Sequence, residues 1–216
     1  EQEKFALLSH QKASNAKSNG FFTEEIVNIT HSGTICSIDG CIREDTTLEM
    51  MSSLKPAFRE GGSVTAATSS PLTDGAVFSI ICSESLAQSL HLSPMAAIVS
   101  GAVSGCPPEL MGLGPISAVR KVLDLAGWKI DEVDIFEINE AFASQSIACI
   151  RELGIDPDRV NIDGGALAIG HPLGASGARI TCKAASLMNR SGSRKAIATM
   201  CIGGGMGIAI ALESLE

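Results

Sequence analysis

Residues 134–154 read DIFEINEAFASQSIACIRELG, a short apolar stretch that leads directly into a longer amphipathic one. The pattern predicts a strand over 134–138 and a helix over 140–153 that ends at Gly154. Asn139 stands at the junction. Sites in α/β proteins are usually built at the carboxyl ends of strands, so Asn139 is a candidate site residue. Because asparagine is among the best helix caps, Asn139 could equally serve only to begin the helix.

The alternation of strands and helices continues on both sides of this stretch. Apolar runs predict strands over 76–82, 96–103, 160–162, 195–202 and 207–212. Helices are predicted over 84–91, 115–126 and 174–190. Residues 64–216 are therefore expected to form an α/β sandwich with a well-buried sheet.

The first 60 residues are more polar and predict a different α/β or α+β piece. We expect a helix over 1–19, a short strand over 24–30, and a hairpin over 34–42 with Asp39-Gly40 as its turn. The spacing of Thr46 and Glu49 is that of a capping box, which predicts a short helix reaching Leu54.

Composition excludes several classes of function. The 216 residues carry 16 Lys and Arg against 24 Asp and Glu, a net charge of -8, which argues against a nucleic-acid partner. No apolar run approaches the roughly 20 residues of a membrane helix, so no membrane partner is expected. The amino-terminal stretch is too polar for a signal peptide. The seven cysteines are scattered with no Cys-x-x-Cys pair, which predicts reduced thiols, a cytoplasmic location and no metal site.

A second candidate segment is 164–177, GGALAIGHPLGASG, in which five glycines and a proline surround His171. Small residues allow backbones to approach closely, and Pro172 restricts the local chain. An imidazole held in this way can act as a general base or donate to an oxyanion. The alternative is a core histidine beside a packing turn, but the glycine-rich setting favours function.

The third candidate segment is 200–207, MCIGGGMG, where a cysteine near a strand end precedes three glycines. The thiol of Cys201 can act as an acid or base, and free backbone N–H groups of the turn can bind an oxyanion. Cysteine is also a common small buried residue, and that explanation is sufficient for the other six cysteines.

In this order and spacing, the three segments resemble the thiolases, which make or cleave 3-ketoacyl-CoA. The resemblance rests on 139–143 (NEAFA), on Gly170-His171-Pro172 with 174–177 (GASG), and on Cys201-Ile202-Gly203. Residues 64–76 (VTAATSSPLTDGA) and 111–115 (MGLGP) reinforce it. Thr68-Ser69-Ser70 favours the 3-ketoacyl-CoA thiolases of fatty-acid β-oxidation, with acetoacetyl-CoA thiolases next.

The resemblance implies a role for each matching residue. Asn139 would hold a catalytic water, and His171 would activate the nucleophile and polarise the thioester oxygen. Cys201 would be the acid/base that moves the α-proton, and the N–H of Gly203 would be an oxyanion-hole donor. The coenzyme A path would be lined by Arg43, Leu54, Phe58, Ser70, Met111 and Phe142. Coenzyme A and acyl-CoA would be substrates, and no cofactor or metal is expected.

The same resemblance implies a thiolase-like layered α/β sandwich, the carboxyl-terminal half of a duplicated fold with part of a loop domain. Residues 1–63 would be the remainder of the loop domain that covers coenzyme A. Residues 64–93 would supply the last strand and helix of the N-terminal half, and 94–216 the C-terminal domain. The nucleophilic cysteine would belong to the missing half, so we expect a truncated or separate half that is inactive alone.

Two other interpretations remain. A non-catalytic coenzyme A-binding or scaffold protein would explain the missing nucleophile, but it has no need for Asn139, His171 and Cys201 together. A ketoacyl synthase-like condensing enzyme would have a second histidine in place of Cys201. Because 76–82 would expose apolar surface, we expect a companion peptide or self-association, and a homodimer or tetramer for the intact enzyme.

Overall fold

The computed structural model describes residues 1–215, and its helices and strands alternate along the carboxyl-terminal two thirds of the chain. The strands there are β3 (Ala97–Gly105), β4 (Ile135–Ile138), β5 (Lys195–Ile202) and β6 (Met206–Glu213), and the helices between them are α4 (Gly114–Ala126), α5 (Ala143–Leu153), α6 (Ala166–Ile169) and α7 (Leu173–Ser191). Preceding these elements are α1 (Gln2–Ser18), β1 (Ile29–His31), β2 (Thr34–Cys36), α2 (Leu48–Ser52) and α3 (Glu84–Ser89).

The main sheet has the strand order β3-β6-β5-β4. Strands β4 and β5 are parallel, whereas β6 is antiparallel to both β5 and β3. Helices α4 and α5 cover one face, where Val119, Val122 and Ile150 pack against Phe136 and Ile197. Helix α7 covers the opposite face with a second apolar cluster. The result is a layered α/β sandwich, as the sequence predicts. The expectation of a well-buried sheet is wrong for β3, which is an edge strand with most of its residues exposed.

Three helices of the sandwich end at a glycine, and for α5 the sequence predicts this end. Gly127, Gly154 and Gly192 adopt left-handed conformations directly after α4, α5 and α7. Glycine has no Cβ that would oppose this conformation, so it closes a helix at low cost.

The predicted strand over 76–82 is wrong, because these residues form no strand in the structure. Phe78 and Ile80 are 92% and 94% exposed. An extended apolar segment becomes a strand only when a neighbouring strand accepts its hydrogen bonds. The predicted exposure of apolar side chains in residues 76–82 is confirmed. It has the same cause, because no neighbouring strand covers this segment. The helix expected after this segment is present as α3.

The predicted hairpin is displaced. Strands β1 and β2 pair antiparallel around Ser32-Gly33, both of which have positive φ angles (49° and 79°). Positive φ angles at both central residues are typical of the tight turns that join the strands of a hairpin. Asp39 instead makes a local turn, in which its Oδ1 accepts from the N–H of Cys41 at 2.9 Å.

Two further strand predictions are only partly correct. The strand expected over 24–30 shortens to β1, and residues 21–25 form turns. At 160–162, only Val160 makes a bridge, to Phe136. The helix predicted from Thr46 is capped by Thr47, whose side chain accepts from the N–H of Met50.

Candidate active site

The ends of two parallel strands bring Asn139 and Cys201 to the same edge of the sheet. Ile138 at the end of β4 pairs with Thr199 on β5. The N–H of Asn139 then donates to the carbonyl of Thr199 at 3.0 Å, two residues before Cys201. Asn139 is completely buried, and it does not cap α5, whose N-cap is Phe142. Its amide side chain is therefore available to other groups.

His171 is held at this edge by three contacts. The backbone N–H of His171 donates to the carbonyl of Pro71 at 2.9 Å, which fixes the main chain at this residue. Its Nδ1 lies 2.6 Å from the Ser176 hydroxyl oxygen in the first turns of α7. Its Nε2 lies 3.3 Å from Asn139 Nδ2. The structure thus joins two of the predicted site residues, and Ser176 is a partner that the residue-by-residue argument did not assign.

The hydrogen bonds around the ring indicate which nitrogen of His171 carries the proton. The Ser176 hydroxyl donates to the carbonyl of Pro172 at 3.1 Å, so its oxygen accepts from Nδ1–H of His171. Nε2 then accepts from the Asn139 amide. Burial lowers the pKa of His171, and the positive charge of Arg179 lowers it further. The ring is therefore uncharged at neutral pH, with a lone pair on Nε2, as a general base requires.

Cys201 is buried near the end of β5, opposite Gly207 on β6. Burial raises the pKa of its thiol, so Cys201 keeps its proton at neutral pH. Gly203 lies exposed in the following turn, with open space where a side chain would be. The turn itself requires glycine, because Gly204 and Gly205 have φ angles of 82° and 88°.

Glu140 is a site residue that the sequence argument overlooked. This buried carboxylate accepts from Ser9 Oγ at 2.7 Å, Asn161 Nδ2 at 2.7 Å and the N–H of Leu167 at 3.1 Å. It thereby connects α1, the end of β4 and the glycine-rich segment that leads to His171. A Cβ on Gly165 would collide with the Glu140 carboxyl group. Glu140 could have been selected from the sequence, because it directly follows the candidate residue Asn139.

Part of the predicted coenzyme path meets the chain at Ala141 and Phe142. The rings of Phe58 and Phe142 meet edge-to-face with centroids 6.0 Å apart. Ser70 donates to the carbonyl of Ala141 through its N–H at 3.0 Å and its hydroxyl at 3.2 Å. Leu54 is exposed, as is Phe58.

The other two predicted path residues lie on different segments. Arg43 is exposed, and its N–H donates to Nδ1 of the buried His10 at 3.1 Å. His10 thus has a structural partner. Met111 is half-buried in a 3₁₀ helix, Pro108–Leu113, that precedes α4.

Two cavities can be compared with the positions of the predicted site residues. One, of about 370 Å³, lies between residues 73–77 and the start of α7, and Pro172 beside His171 contributes to its wall. A larger one, of about 410 Å³, lies between Lys17, Phe22 and residues 37–39 and includes none of the predicted site residues. We associate the first with the site because its wall includes Pro172, the next residue after His171.

Comparison with known families agrees with this geometry. The pattern of the thiolase C-terminal domain matches residues 92–214, and that of the thiolase N-terminal domain matches residues 1–85. The chain belongs to the thiolase family.

Individual thiolase relatives match along the whole chain. An acetyl-CoA acetyltransferase of Shinella zoogloeoides is 48% identical over 219 residues, and a 3-ketoacyl-CoA thiolase of Aliivibrio fischeri is 46% identical over 222 residues. The matches cover 100% and 99% of this chain. The chain spans 56% and 57% of those relatives' own lengths.

The thiolase fold is equally clear in three dimensions. Human mitochondrial 3-ketoacyl-CoA thiolase, solved in complex with CoA, superimposes with a TM-score of 0.93 at 37% identity. The match covers 99% of this chain and 54% of the human one. Among residues 1–215, none of the helices has the length and the apolar character of a membrane span. The same residues contain no cluster of three or more His, Cys, Asp or Glu side chains that could hold a metal ion.

Proposed function

We propose that this chain supplies the carboxyl-terminal part of a thiolase active site, which transfers an acyl group between a cysteine and coenzyme A. The observation that carries the proposal is the placement of the His171 ring between Ser176 and Asn139. Cys201 lies on the adjoining strand, near the same edge. An uncharged imidazole and a protonated thiol are the base and the acid that Claisen chemistry needs.

In the direction of cleavage, His171 takes the proton of a nucleophilic cysteine located in the part of the thiolase fold that this chain does not include. The resulting thiolate attacks the 3-keto carbon, and the bond between C2 and C3 breaks. Cys201 gives its proton to the enolate carbon, which releases acetyl-CoA. Cys201 then regains a proton from the thiol of a second coenzyme A, which attacks the acyl-enzyme. The departing cysteine recovers its proton from His171.

The oxyanions that form during this sequence need two sites, one for the enolate and one for the tetrahedral acyl intermediate. We assign the enolate oxygen to His171 and to a water on Asn139, whose buried Oδ1 has no hydrogen-bond partner within residues 1–215. We assign the tetrahedral acyl intermediate to the N–H of Gly203, which lies in an open turn. Each such donor contributes about 2.7–4 kcal/mol to catalysis.

Coenzyme A is proposed to pass along the predicted path residues. Three observations support this path: the Phe58–Phe142 contact, the attachment of Ser70 to Ala141, and the similarity to a thiolase solved with CoA. The proposed substrates are 3-ketoacyl-CoA esters of fatty-acid β-oxidation, then acetoacetyl-CoA. We propose a cytoplasmic location from the seven free thiols.

The partner is proposed to be the remaining thiolase half, on a companion polypeptide or in the intact protein, within a homodimer or tetramer. Exposed Phe78, Ile80 and Ile81 provide an apolar surface that such a half would bury. The same half would also supply a strand beside residues 76–82.

The test combines intact mass with a thiolysis assay on the purified protein. If a second peptide carrying a reactive cysteine accompanies the chain, thiolysis of a 3-ketoacyl-CoA should proceed. His171→Ala and Cys201→Ala should each abolish it, whereas His31→Ala and Cys182→Ala serve as matched controls outside the site. Near-wild-type turnover in either site variant would contradict the assigned roles. Coenzyme A binding without turnover in the completed assembly would support the scaffold alternative.

A further inference from the structure

Glu140 is a buried carboxyl group that contacts three separate segments of the chain and has no role in the chemistry proposed above. Its Oε2 accepts from Ser9 Oγ and from the N–H of Leu167, and its Oε1 accepts from Asn161 Nδ2. Glu140 is only 2% exposed. Its bonds hold the three segments in place, because the loss of any one of them would leave a buried polar group unpaired.

The contact with Asn161 connects Glu140 to the end of β4. The side-chain amide of Asn161 pairs with the backbone of Ile138: Oδ1 accepts from the N–H and Nδ2 donates to the carbonyl, each at 2.8 Å. The backbone N–H of Asn161 also donates to the carbonyl of Phe136 at 2.9 Å. Asn161 thus satisfies the backbone at the end of β4 as a neighbouring strand would, and this fixes the chain immediately before Asn139.

The contacts with Leu167 and Ser9 connect Glu140 to α6, the single helical turn that precedes His171. The first N–H groups of a helix have no acceptor within the helix, and α6 receives no side-chain cap from its own N-cap residue, Gly165. Glu140 accepts from the N–H of Leu167 instead, and Ser9 Oγ accepts from the N–H of Gly165 at 3.0 Å. Only one residue separates α6 from His171, so the position of α6 determines how the main chain reaches the histidine.

Glu140 therefore holds both members of the pair at the candidate site. Asn139 is its neighbour in the chain, and His171 follows the helix that Glu140 caps. The two side chains meet with Asn139 Nδ2 lying 3.3 Å from His171 Nε2. Ser176 and Pro71 orient the histidine, whereas Glu140 links its position to that of Asn139.

We propose that Glu140 is a positioning residue of the thiolase site, which sets the distance between the Asn139 amide and the His171 ring, with Ser9 of α1 as its support. The proposal rests on the proposed function, which assigns the enolate oxygen to His171 and to a water on Asn139. Both carboxyl oxygens of Glu140 are occupied by donors from the chain itself, so Glu140 acts through its neighbours. A fixed separation matters, because a displacement of about 1 Å can lower a reaction rate about 100-fold.

The test measures the nuclear Overhauser effect (NOE) between the side-chain amide protons of Asn139 and the His171 ring in the full chain, and it does not depend on turnover. Ser9→Ala removes both hydrogen bonds of the Ser9 hydroxyl group, so α6 should move and the NOE should weaken. Ser186→Ala is the matched control. The Ser186 hydroxyl also donates to a glutamate, Glu25, at 2.7 Å, but it lies on α7 and its loss should leave the NOE unchanged.

Glu140→Gln disturbs the same contacts more severely at nearly constant side-chain volume. An amide offers one oxygen and one NH₂ group in place of two acceptors, so it cannot accept from both Asn161 and Leu167. We expect the NOE to be lost. In an assembly completed with the half that bears the nucleophile, kcat for thiolysis should fall about 100-fold while KM stays near its wild-type value, because misplacement of the pair acts on the transition state.

The outcomes separate a role in positioning from a role in folding. If Glu140→Gln folds and keeps the wild-type NOE, the proposal is wrong. If Glu140→Gln does not fold, Ser9→Ala decides: a weakened NOE supports the proposal and an unchanged NOE overturns it. Failure of both variants to fold would assign these contacts to stability alone, and a weakened NOE in Ser186→Ala would show that any lost hydrogen bond disturbs the pair; either result overturns the proposal. Absence of thiolysis in the completed wild-type assembly, with the expected NOE changes, would count against the proposed function alone.

Discussion

The contact between Ser176 and His171 allows a quantitative prediction. Ser176 is completely buried, and its hydroxyl group takes part in two hydrogen bonds, one from His171 Nδ1 and one to the carbonyl of Pro172. At about 1 kcal/mol for each bond, Ser176→Ala should cost about 2 kcal/mol of unfolding free energy. For a chain of this size, that loss lowers Tm by about 4–8 °C.

The same substitution should change the tautomer of His171. Without the serine oxygen, Nδ1–H loses its acceptor, so the proton should shift toward Nε2. Nitrogen chemical shifts of the imidazole report this directly, and denaturant unfolding gives the free energy. Thr181→Val is the matched control. It removes a hydroxyl from the same helix that donates to the carbonyl of Gly177 at 2.8 Å, and it should cost stability without altering His171.

Two results would refute this reasoning. A wild-type ring with its proton on Nε2 would show that Ser176 donates to His171 instead of accepting from it. An unchanged tautomer in Ser176→Ala would show that Asn139 alone orients the ring.

Three further predictions concern the surroundings of the site. Gly165→Ala should displace the Glu140 carboxyl group and destabilise the chain by about 1–3 kcal/mol, which denaturant unfolding would measure; unchanged stability would mean that the carboxyl group moves freely. Because burial raises the folded-state pKa of Glu137 to about 8, the folded chain holds a proton that the unfolded chain releases above its ordinary pKa of 4.5. This contribution to stability therefore falls as pH rises from about 4.5 to 8, and Glu137→Gln should flatten that fall; equal slopes in both proteins would contradict the assignment. Phe78→Ser with Ile80→Ser should leave unfolding of the isolated chain within about 0.5 kcal/mol of wild type, because both side chains are exposed, yet should reduce self-association in sedimentation velocity; unchanged association would place the contact elsewhere.

The sequence alone predicts the sandwich well where the pattern depends on neighbours in the chain. Strands β3 to β6 and helices α4, α5 and α7 have apolar periodicities and glycine stops that operate over a few residues, and the structure has each of them. The choice of Asn139, His171 and Cys201 also came from local patterns, namely a residue at a strand end and glycine-rich turns. Their chemical roles remain predictions for the variants above to test.

Only the tertiary structure decided which distant groups meet. Ser9 and Glu140 are 131 residues apart in the chain, yet they share a hydrogen bond. No pattern among neighbouring residues predicts a contact between such distant positions. Residues 76–82 have the composition of a strand but lack a neighbour to accept their hydrogen bonds, so composition was insufficient. The orientation of the His171 ring likewise depends on how α7 packs against β4. Packing between distant segments sets the charges and partners of the site, and that information is absent from the short-range order of the residues.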